Sequence, residues 1–227
     1  MSEAIAGALD GVTTPLKGIR RAVARQMVAA WAAPVFHLTV EVDMTNAMNV
    51  KSVSPSSTVT DALLLAVGLA LVESPAVNAH FADGAVTVFE DVNVGLAVAT
   101  DAGLMVPIIH GVPRLALRDI ADKRRDIVER ARSGKLGMAD VSGGTFTVSN
   151  LGMLGIDSFD AIVNVPQVAI LAVASTRQRL VLYDGEPAWR PVATLTLTAD
   201  HRAVDGATGA AFLGRVRELL ERPLTPP

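Results

Sequence analysis

The chain reads Val192-Ala193-Thr194-Leu195-Thr196-Leu197-Thr198 and then, one residue later, Asp200-His201-Arg202-Ala203-Val204-Asp205-Gly206. The first part alternates apolar with hydroxyl-bearing side chains, which is typical of a half-buried strand, and an apolar helical pattern follows the second. Between strand and helix, an imidazole lies among carboxylates. A histidine pKa near 6.5 lets His201 take a proton from a thiol, whose pKa is about 8.5, and return it later. His201 is therefore a candidate general base.

The same heptapeptide also has a purely structural interpretation. Aspartates are common in turns and at helix N-caps, so Asp200 could hold a turn and Asp205 could cap the next helix. His201 would then be packed or solvated between them. The segment by itself does not separate the two interpretations.

Composition excludes several classes of function. The chain has 227 residues, of which 50% are apolar, but its longest apolar run, residues 62–72, is shorter than the roughly 20 residues that cross a bilayer. That run predicts a buried helix, and no membrane partner is expected. Residues 1–16 lack the basic start and apolar stretch of a secretory signal, so we expect the protein to stay inside the cell.

Charge and cysteine content narrow the chemistry further. With no cysteine, the chain has no disulfide, thiolate ligand or cysteine nucleophile, so any thiol must belong to a substrate. A net charge of −3 and few aromatic residues argue against nucleic-acid binding. The four histidines are far apart in sequence, without the spacing of a metal site, and the glycines match no phosphate-binding loop.

Periodicity predicts one α/β (α+β) domain, in which helices cover a mixed sheet. Residues 1–14 are small and polar and are interpreted as a linker end or a remnant outside the fold, which leaves 15–227 as the domain. Helices are predicted from Pro15 to near Pro34, over 58–73 and 115–131, and from the Asp205 cap to just before Pro223. Strands are predicted over 35–43, 85–89, 92–100, 104–110, 145–149, 168–175, 179–183 and 192–198, with a tight turn at Asp101-Ala102-Gly103.

Three long motifs carry a more specific signal. They are Gly144-Thr145-Phe146-Thr147-Val148-Ser149-Asn150-Leu151-Gly152-Met153, then Ala161-Ile162-Val163-Asn164-Val165-Pro166-Gln167-Val168-Ala169-Ile170-Leu171-Ala172-Val173, then the heptapeptide around His201. In this order, together with Leu16-Lys17-Gly18-Ile19-Arg20-Arg21 through Met27, the chain resembles the catalytic domain of the dihydrolipoyl acyltransferases. These enzymes form the cores of the 2-oxo acid dehydrogenase complexes. The resemblance covers nearly the whole chain.

The resemblance implies a fold like that of chloramphenicol acetyltransferase, assembled as a trimer with active sites between subunits. It implies acyl transfer between dihydrolipoamide and coenzyme A, with His201 as base on the thiol and Ser149 of a neighbouring subunit stabilising the oxyanion. By its own sequence context Ser149 closes a strand with its hydroxyl in a turn, and it lacks the setting of a serine-hydrolase nucleophile.

Other motif positions take roles from the same resemblance. Asp205 would orient the site, by pairing with Arg20 or Arg21 of the first helix. Asp200 and Arg202 are interpreted as scaffold that fixes the rotamer of the histidine.

Two further positions, Asn164 and His37, have open roles. Asn164 matches a position near the substrate channel, and a turn before Pro166 explains it equally well. The histidine that many relatives have just before the first strand is shifted by two places, to His37, so its usual role is not carried over.

Partners and substrates follow from the family as expectations. The expected substrates are coenzyme A and a lipoyl group supplied by a separate or missing domain, and no metal is implied. The expected partners are the decarboxylase and dihydrolipoyl dehydrogenase components. The expected location is the bacterial cytoplasm or the mitochondrial matrix. A non-catalytic core subunit and a small-molecule acetyltransferase of the same fold remain as alternatives. Because the tail ends in Pro226-Pro227, a trimer is predicted more firmly than a cage.

The sequence leaves two questions of specificity open. Acetyl and branched-chain acyl groups rank equally, whereas a succinyl group would need a cationic partner for its extra carboxylate. Coenzyme A carries several negative charges and this chain is net acidic, so a local basic cluster is expected at its entrance. The sequence does not assign that cluster.

Overall fold

A computed structural model describes residues 11–223. Residues 11–17 are exposed and form neither helix nor strand. The predicted linker is residues 1–14, and its first ten residues lie outside the described range. The last four residues of the proline-containing tail also lie outside it. The boundaries predicted for the single domain, residues 15 and 227, therefore stay predictions.

The core of the fold is a seven-stranded mixed sheet in the order β1-β11-β9-β8-β4-β7, with β10 paired to β11 at one side. The pairs β4–β8 and β8–β9 are parallel and the other pairs of this sheet are antiparallel. Two short hairpins, β2–β3 and β5–β6, lie outside it. The strands are β1 Val35–Asp43, β2 Ala79–Ala82, β3 Ala85–Val88, β4 Val94–Leu96, β5 Val98–Thr100, β6 Gly103–Met105, β7 Ile108–Ile109, β8 Phe146–Asn150, β9 Ala169–Val173, β10 Arg177–Tyr183 and β11 Glu186–Asp200.

Helices cover the sheet, as the sequence predicts. They are α1 Gly18–Trp31, α2 Thr45–Met48, α3 Val50–Val53, α4 Val59–Glu73, α5 Leu117–Arg132, α6 Met138–Val141 and α7 Gly206–Glu221. The helix α4 contacts both α5 and α7, and α7 packs on β1. Nine of the 15 residues of α4 are buried, which confirms the central core helix inferred from its apolar run.

A buried carboxylate joins the start of α4 to α5. Oδ2 of Asp61 accepts hydrogen bonds from the backbone N–H (2.8 Å) and hydroxyl (2.9 Å) of Thr58, which completes a capping box. Nε and Nη2 of Arg124 donate to the two Asp61 oxygens over 2.6 and 3.0 Å. The Asp61 side chain is 0% exposed and that of Arg124 is 16% exposed, so water screens this pair weakly.

The run from 92 to 110 differs from prediction. Two continuous strands were expected, whereas the chain forms β4 and β7 in the main sheet and β5 and β6 in a separate hairpin. Pro107 interrupts the second run because a proline has no N–H to donate to a ladder. The turn predicted at Asp101-Ala102-Gly103 is confirmed, with Gly103 at φ 131°. The four-residue strand β2 was not predicted, because it is too short to show alternation.

We predict that Asp61→Ala lowers the free energy of unfolding by about 3 kcal/mol, because it removes the helix cap and leaves Arg124 without its partner. Urea unfolding monitored by circular dichroism measures the change. Asp122→Ala is the control, because Asp122 is half exposed and its ion pair with Arg125 is worth at most about 1 kcal/mol. Equal losses in the two variants would contradict a special role for the buried pair.

Candidate active site

His201 lies just beyond the end of β11. Its backbone N–H donates to the carbonyl of Pro34 over 2.9 Å, and its ring packs on Phe36 with centroids 4.7 Å apart. The residue is exposed, and no side-chain hydrogen bond to its ring is formed within residues 11–223. The imidazole is thus supported on one side by an aromatic ring and open to a ligand or another chain.

Asp200 and Arg202 hold the turn that carries His201. Asp200 is 2% exposed and accepts from both the backbone and the guanidinium of Arg202, the shortest contact being 2.6 Å. The side-chain hydrogen bond to Asp200 raises the pKa of the Arg202 guanidinium above its ordinary value. The guanidinium also lies 4.1 Å from the ring centroid of Phe81. The geometry fits the scaffold role expected for both residues.

Asp205 is the N-cap of α7. Its Oδ1 accepts from the backbone N–H of Thr208 over 2.7 Å, as the structural interpretation of the heptapeptide predicts. The hydrogen bonds from Thr208 lower the pKa of the Asp205 carboxyl. In the single chain described over 11–223, Asp205 forms no ion pair with Arg20 or Arg21, so such a pairing would require an arginine from another copy.

Ser149 stands near the end of β8, at the edge of a groove of about 300 Å³. The turn after it is tightly built. Asn150 accepts from the backbone N–H of Gly152 over 2.9 Å, and Ser175 donates to the Gly152 carbonyl over 2.8 Å. A Cβ on Gly152 would lie 2.9 Å from the backbone oxygen of Ala174, so a larger residue would displace the turn.

Asn164 lies in the turn before Pro166. Its carbonyl accepts from the backbone N–H of Gln167 over 3.1 Å, and its amide reaches Thr147 on β8 and Gln26 on α1 over 3.4 and 3.5 Å. Asn164 does not line the groove beside Ser149. In the isolated chain it therefore connects α1 to the sheet, and its proposed place at a substrate channel stays a prediction.

Ser149 and His201 are far apart within one chain. Ser149 pairs with Ala172 on β9, and Ala172 pairs with Thr196 on β11, five residues before His201. Two strand spacings of about 4.8 Å and five residues of about 3.3 Å place their backbones roughly 19 Å apart. The two residues lie toward opposite ends of the sheet, so they cannot act on one bond unless a second copy contributes one of them.

The groove contains residues that the sequence analysis did not select. Its lining comprises Thr60, Leu96, Ala97, Val98, Ala99, Leu104, Arg124, Val128, Arg132, Ser149, Asn150, Leu151, Met153 and Leu154. The sequence had given the arginines of α5 no role. A signal was present, because Arg124 follows Ile120 by four residues and precedes Ile127 by three, on the buried stripe of the helix.

Nδ1 of His37 lies 2.9 Å from the Thr198 hydroxyl, and the residue is on the more exposed face of β1. Among residues 11–223, no three histidine, aspartate or glutamate side chains are grouped to hold a metal ion. No helix in this part of the chain is both long and apolar enough to span a bilayer.

Comparison with known proteins identifies the family. Residues 9–226 match the model of the 2-oxoacid dehydrogenases acyltransferase catalytic domain. The chain belongs to this family. A pyruvate dehydrogenase acetyltransferase component from Rickettsia bellii is 33% identical over 219 residues, which are 92% of this chain and 52% of that protein. This acyltransferase domain therefore spans about half the length of that relative.

Solved structures agree with the family and its fold. A dihydrolipoamide acetyltransferase from Azotobacter vinelandii is 32% identical with a TM-score of 0.88, covering 96% of this chain and 94% of that one. The cubic core of a pyruvate dehydrogenase multienzyme complex gives 0.89 at 32% identity, with the same coverage. Chloramphenicol acetyltransferase, at 16% identity and 0.60 over 86% of this chain and 94% of that one, shows the shared fold alone. The predicted fold class is confirmed.

Asp205 in this acyltransferase domain should make stability depend on pH. A carboxyl whose folded pKa is lowered stabilises the fold above its unfolded pKa, and this contribution is lost as the pH falls through the folded pKa. We expect Asp205→Ala to unfold at lower urea than the wild type at pH 7, and the gap to narrow below about pH 3.9. Asp205→Asn is the control, because its amide caps the helix without titrating. A gap that stays constant with pH would contradict capping by the carboxylate.

Proposed function

We propose that this chain transfers an acetyl group between the thiol of dihydrolipoamide and the thiol of coenzyme A. The observation that carries the proposal is a spacing. In the Azotobacter vinelandii enzyme, roles in the catalytic mechanism were investigated for a serine, a histidine 52 positions later and an asparagine four positions after that. Ser149, His201 and Asp205 have the same separations, with aspartate in the third place.

The residues suit each step of thioester exchange. His201 takes the proton of the attacking thiol, since the thiolate is the reactive form. The thiolate adds to the thioester carbonyl, and the Ser149 hydroxyl donates a hydrogen bond to the resulting oxyanion. The tetrahedral intermediate then expels the other thiolate, which recovers the proton from the imidazolium. The ring packing on Phe36 and the Asp200–Arg202 turn hold the imidazole in place for both transfers.

The site forms between two copies. The separation of roughly 19 Å, derived from the strand register, supports a site in which His201 of one copy faces Ser149 of the next. We propose a trimer as the smallest active unit. The cubic core among the structural relatives supports further assembly of such units.

The acyl group and the partners are proposed from the relatives. Their names describe pyruvate dehydrogenase components, which favours acetyl over a branched-chain group. The lipoyl group would be presented by a lipoyl domain, charged by a decarboxylase and reoxidised by a dihydrolipoyl dehydrogenase. These components would work together in the bacterial cytoplasm or the mitochondrial matrix.

Single substitutions test the two roles. In an assay with acetyl-CoA and dihydrolipoamide, we expect His201→Ala to lower kcat about 10²- to 10⁴-fold and Ser149→Ala about 10²- to 10³-fold. His37→Ala is the control, because its ring lies on β1 beside Thr198 and takes no part in the proposed steps. A His201→Ala rate equal to the wild-type rate would refute the base.

Mixing the two inactive variants tests the shared site. When His201→Ala and Ser149→Ala chains are unfolded together and reassembled, random assembly leaves about one interface in four with both residues intact. We therefore expect the mixture to regain about a quarter of wild-type activity, while each variant reassembled alone stays inactive. If the mixture stays as inactive as its components although the sizes of the assemblies are normal, both residues must come from one chain.

A further inference from the structure

The Ser149 groove has a charge opposite to that of the chain. Arg124 and Arg132 line it, whereas no aspartate or glutamate does. The groove bordered by Glu41, Asp43 and Glu221, in contrast, contains three carboxylates and one arginine. In a protein of net charge −3, a cationic groove beside the proposed oxyanion serine attracts an anionic ligand.

The two arginines are not equivalent. Arg124 is held by Asp61 through Nε and Nη2, so its charge is already compensated within the protein. Arg132 is exposed, and within residues 11–223 it forms no ion pair or side-chain hydrogen bond. Its neighbour Arg130 binds both Asp126 and Asp140. Arg132 is therefore the guanidinium in this groove that is available to a ligand.

Arg132 and Arg124 lie at different points along the groove. Arg124 is close to the contact between Asn150 and Thr60. Nδ2 of Asn150, the residue after Ser149, reaches the Thr60 hydroxyl over 3.4 Å, and Thr60 adjoins the Asp61 that binds Arg124. Arg132 is eight residues further along α5, which is about 12 Å along the helix axis. A ligand whose reacting carbonyl lies beside Ser149 can therefore meet Arg132 with an anionic group at another point of the same groove.

We propose that Arg132 binds a phosphate group of coenzyme A while the thioester lies beside Ser149. This inference rests on the proposed function, since it assumes that coenzyme A is a substrate. The pantetheine arm separates the thiol from the phosphates, so the thioester and a phosphate can contact two different points of the groove wall. A guanidinium forms paired hydrogen bonds to phosphate oxygens, and the apolar Leu96, Val98 and Val128 offer the arm a dry wall.

A carboxylate at the end of the acyl group is the competing anion. It would lie a few bonds from the thioester carbon, close to Ser149. Arg124 is the charge beside the Asn150–Thr60 contact, and Asp61 already neutralises it. The groove therefore favours recognition of the phosphates over recognition of a dicarboxylic acyl group.

The test varies the phosphates and the acyl carboxylate independently in the assembled protein. Initial rates with dihydrolipoamide are measured for acetyl-CoA, acetyl-pantetheine and succinyl-pantetheine, using wild type, Arg132→Gln and Arg132→Lys. We expect Arg132→Gln to raise KM for acetyl-CoA about tenfold or more, with kcat nearly unchanged, because a charged hydrogen bond is lost. Kinetics with acetyl-pantetheine should not change. Arg132→Lys should recover part of the loss.

Arg118→Gln is the matched control. Arg118 is on the same helix, its side chain is 80% exposed and it does not line the groove. An equal rise of KM for acetyl-CoA in this control would mean that overall charge is responsible, and would overturn the assignment. Three other results would also overturn the assignment of Arg132 to a phosphate. Arg132→Gln could change KM equally for acetyl-CoA and acetyl-pantetheine, or change it for neither. It could also lower the rate with succinyl-pantetheine alone.

Direct binding separates this inference from the proposed function. Calorimetry with coenzyme A and with pantetheine needs no turnover. If the wild type binds coenzyme A more tightly than pantetheine, and Arg132→Gln removes the difference, the phosphate site stands even if no acyl transfer is detected. If transfer is detected but Arg132→Gln binds coenzyme A as tightly as the wild type, the phosphate site is wrong and the function stands.

Discussion

The ladder of β8, β9 and β11 is the constraint on which the active-site geometry depends. β8 runs parallel to β9, and β11 runs antiparallel to both, so the ends of β8 and β11 that carry Ser149 and His201 point in opposite directions. Backbone hydrogen bonds fix this register, and a shift by one residue would exchange the side chains that face the two sides of the sheet. Ser149 and His201 are therefore held apart within each chain by the same pairing that builds the core. Chemistry that needs both residues requires assembly.

Most residues of the motif around His201 serve to hold the histidine. Asp200 is buried against Arg202, the guanidinium lies on Phe81, and Asp205 begins α7. Each of these contacts is local or reaches a neighbouring strand, and together they leave the imidazole exposed and supported. The segment therefore contains a helix cap at Asp205 beside the general base that we propose at His201. The two interpretations of the heptapeptide describe different residues of the same segment.

The end of the sheet that carries Ser149 has an apolar groove lined by two arginines, Arg124 and Arg132, which differ in their ion pairing. Asp61 uses one side chain to cap α4 and to hold Arg124, which makes that arginine part of the framework. Arg132, at the last turn of α5, is not tied in this way in the described part of the chain. Burial and pairing thus distinguish two arginines that composition treats as the same. Because Asp61 compensates Arg124, Arg132 supplies the uncompensated positive charge of this groove in an acidic protein.

The sequence alone determined the fold class, the main helices and strands, the Asp205 cap and the family, because these depend on periodicity, turn chemistry and long motifs that are local in the chain. It did not determine the division of residues 92–110 between two sheets, because that depends on which distant strand each segment pairs with. Nor did it identify Arg124 and Arg132 beside Ser149, since α5 and β8 are brought together only by packing. The tertiary structure decided which residues share the groove and how far His201 lies from Ser149, because strand register and helix packing set distances between residues remote in sequence.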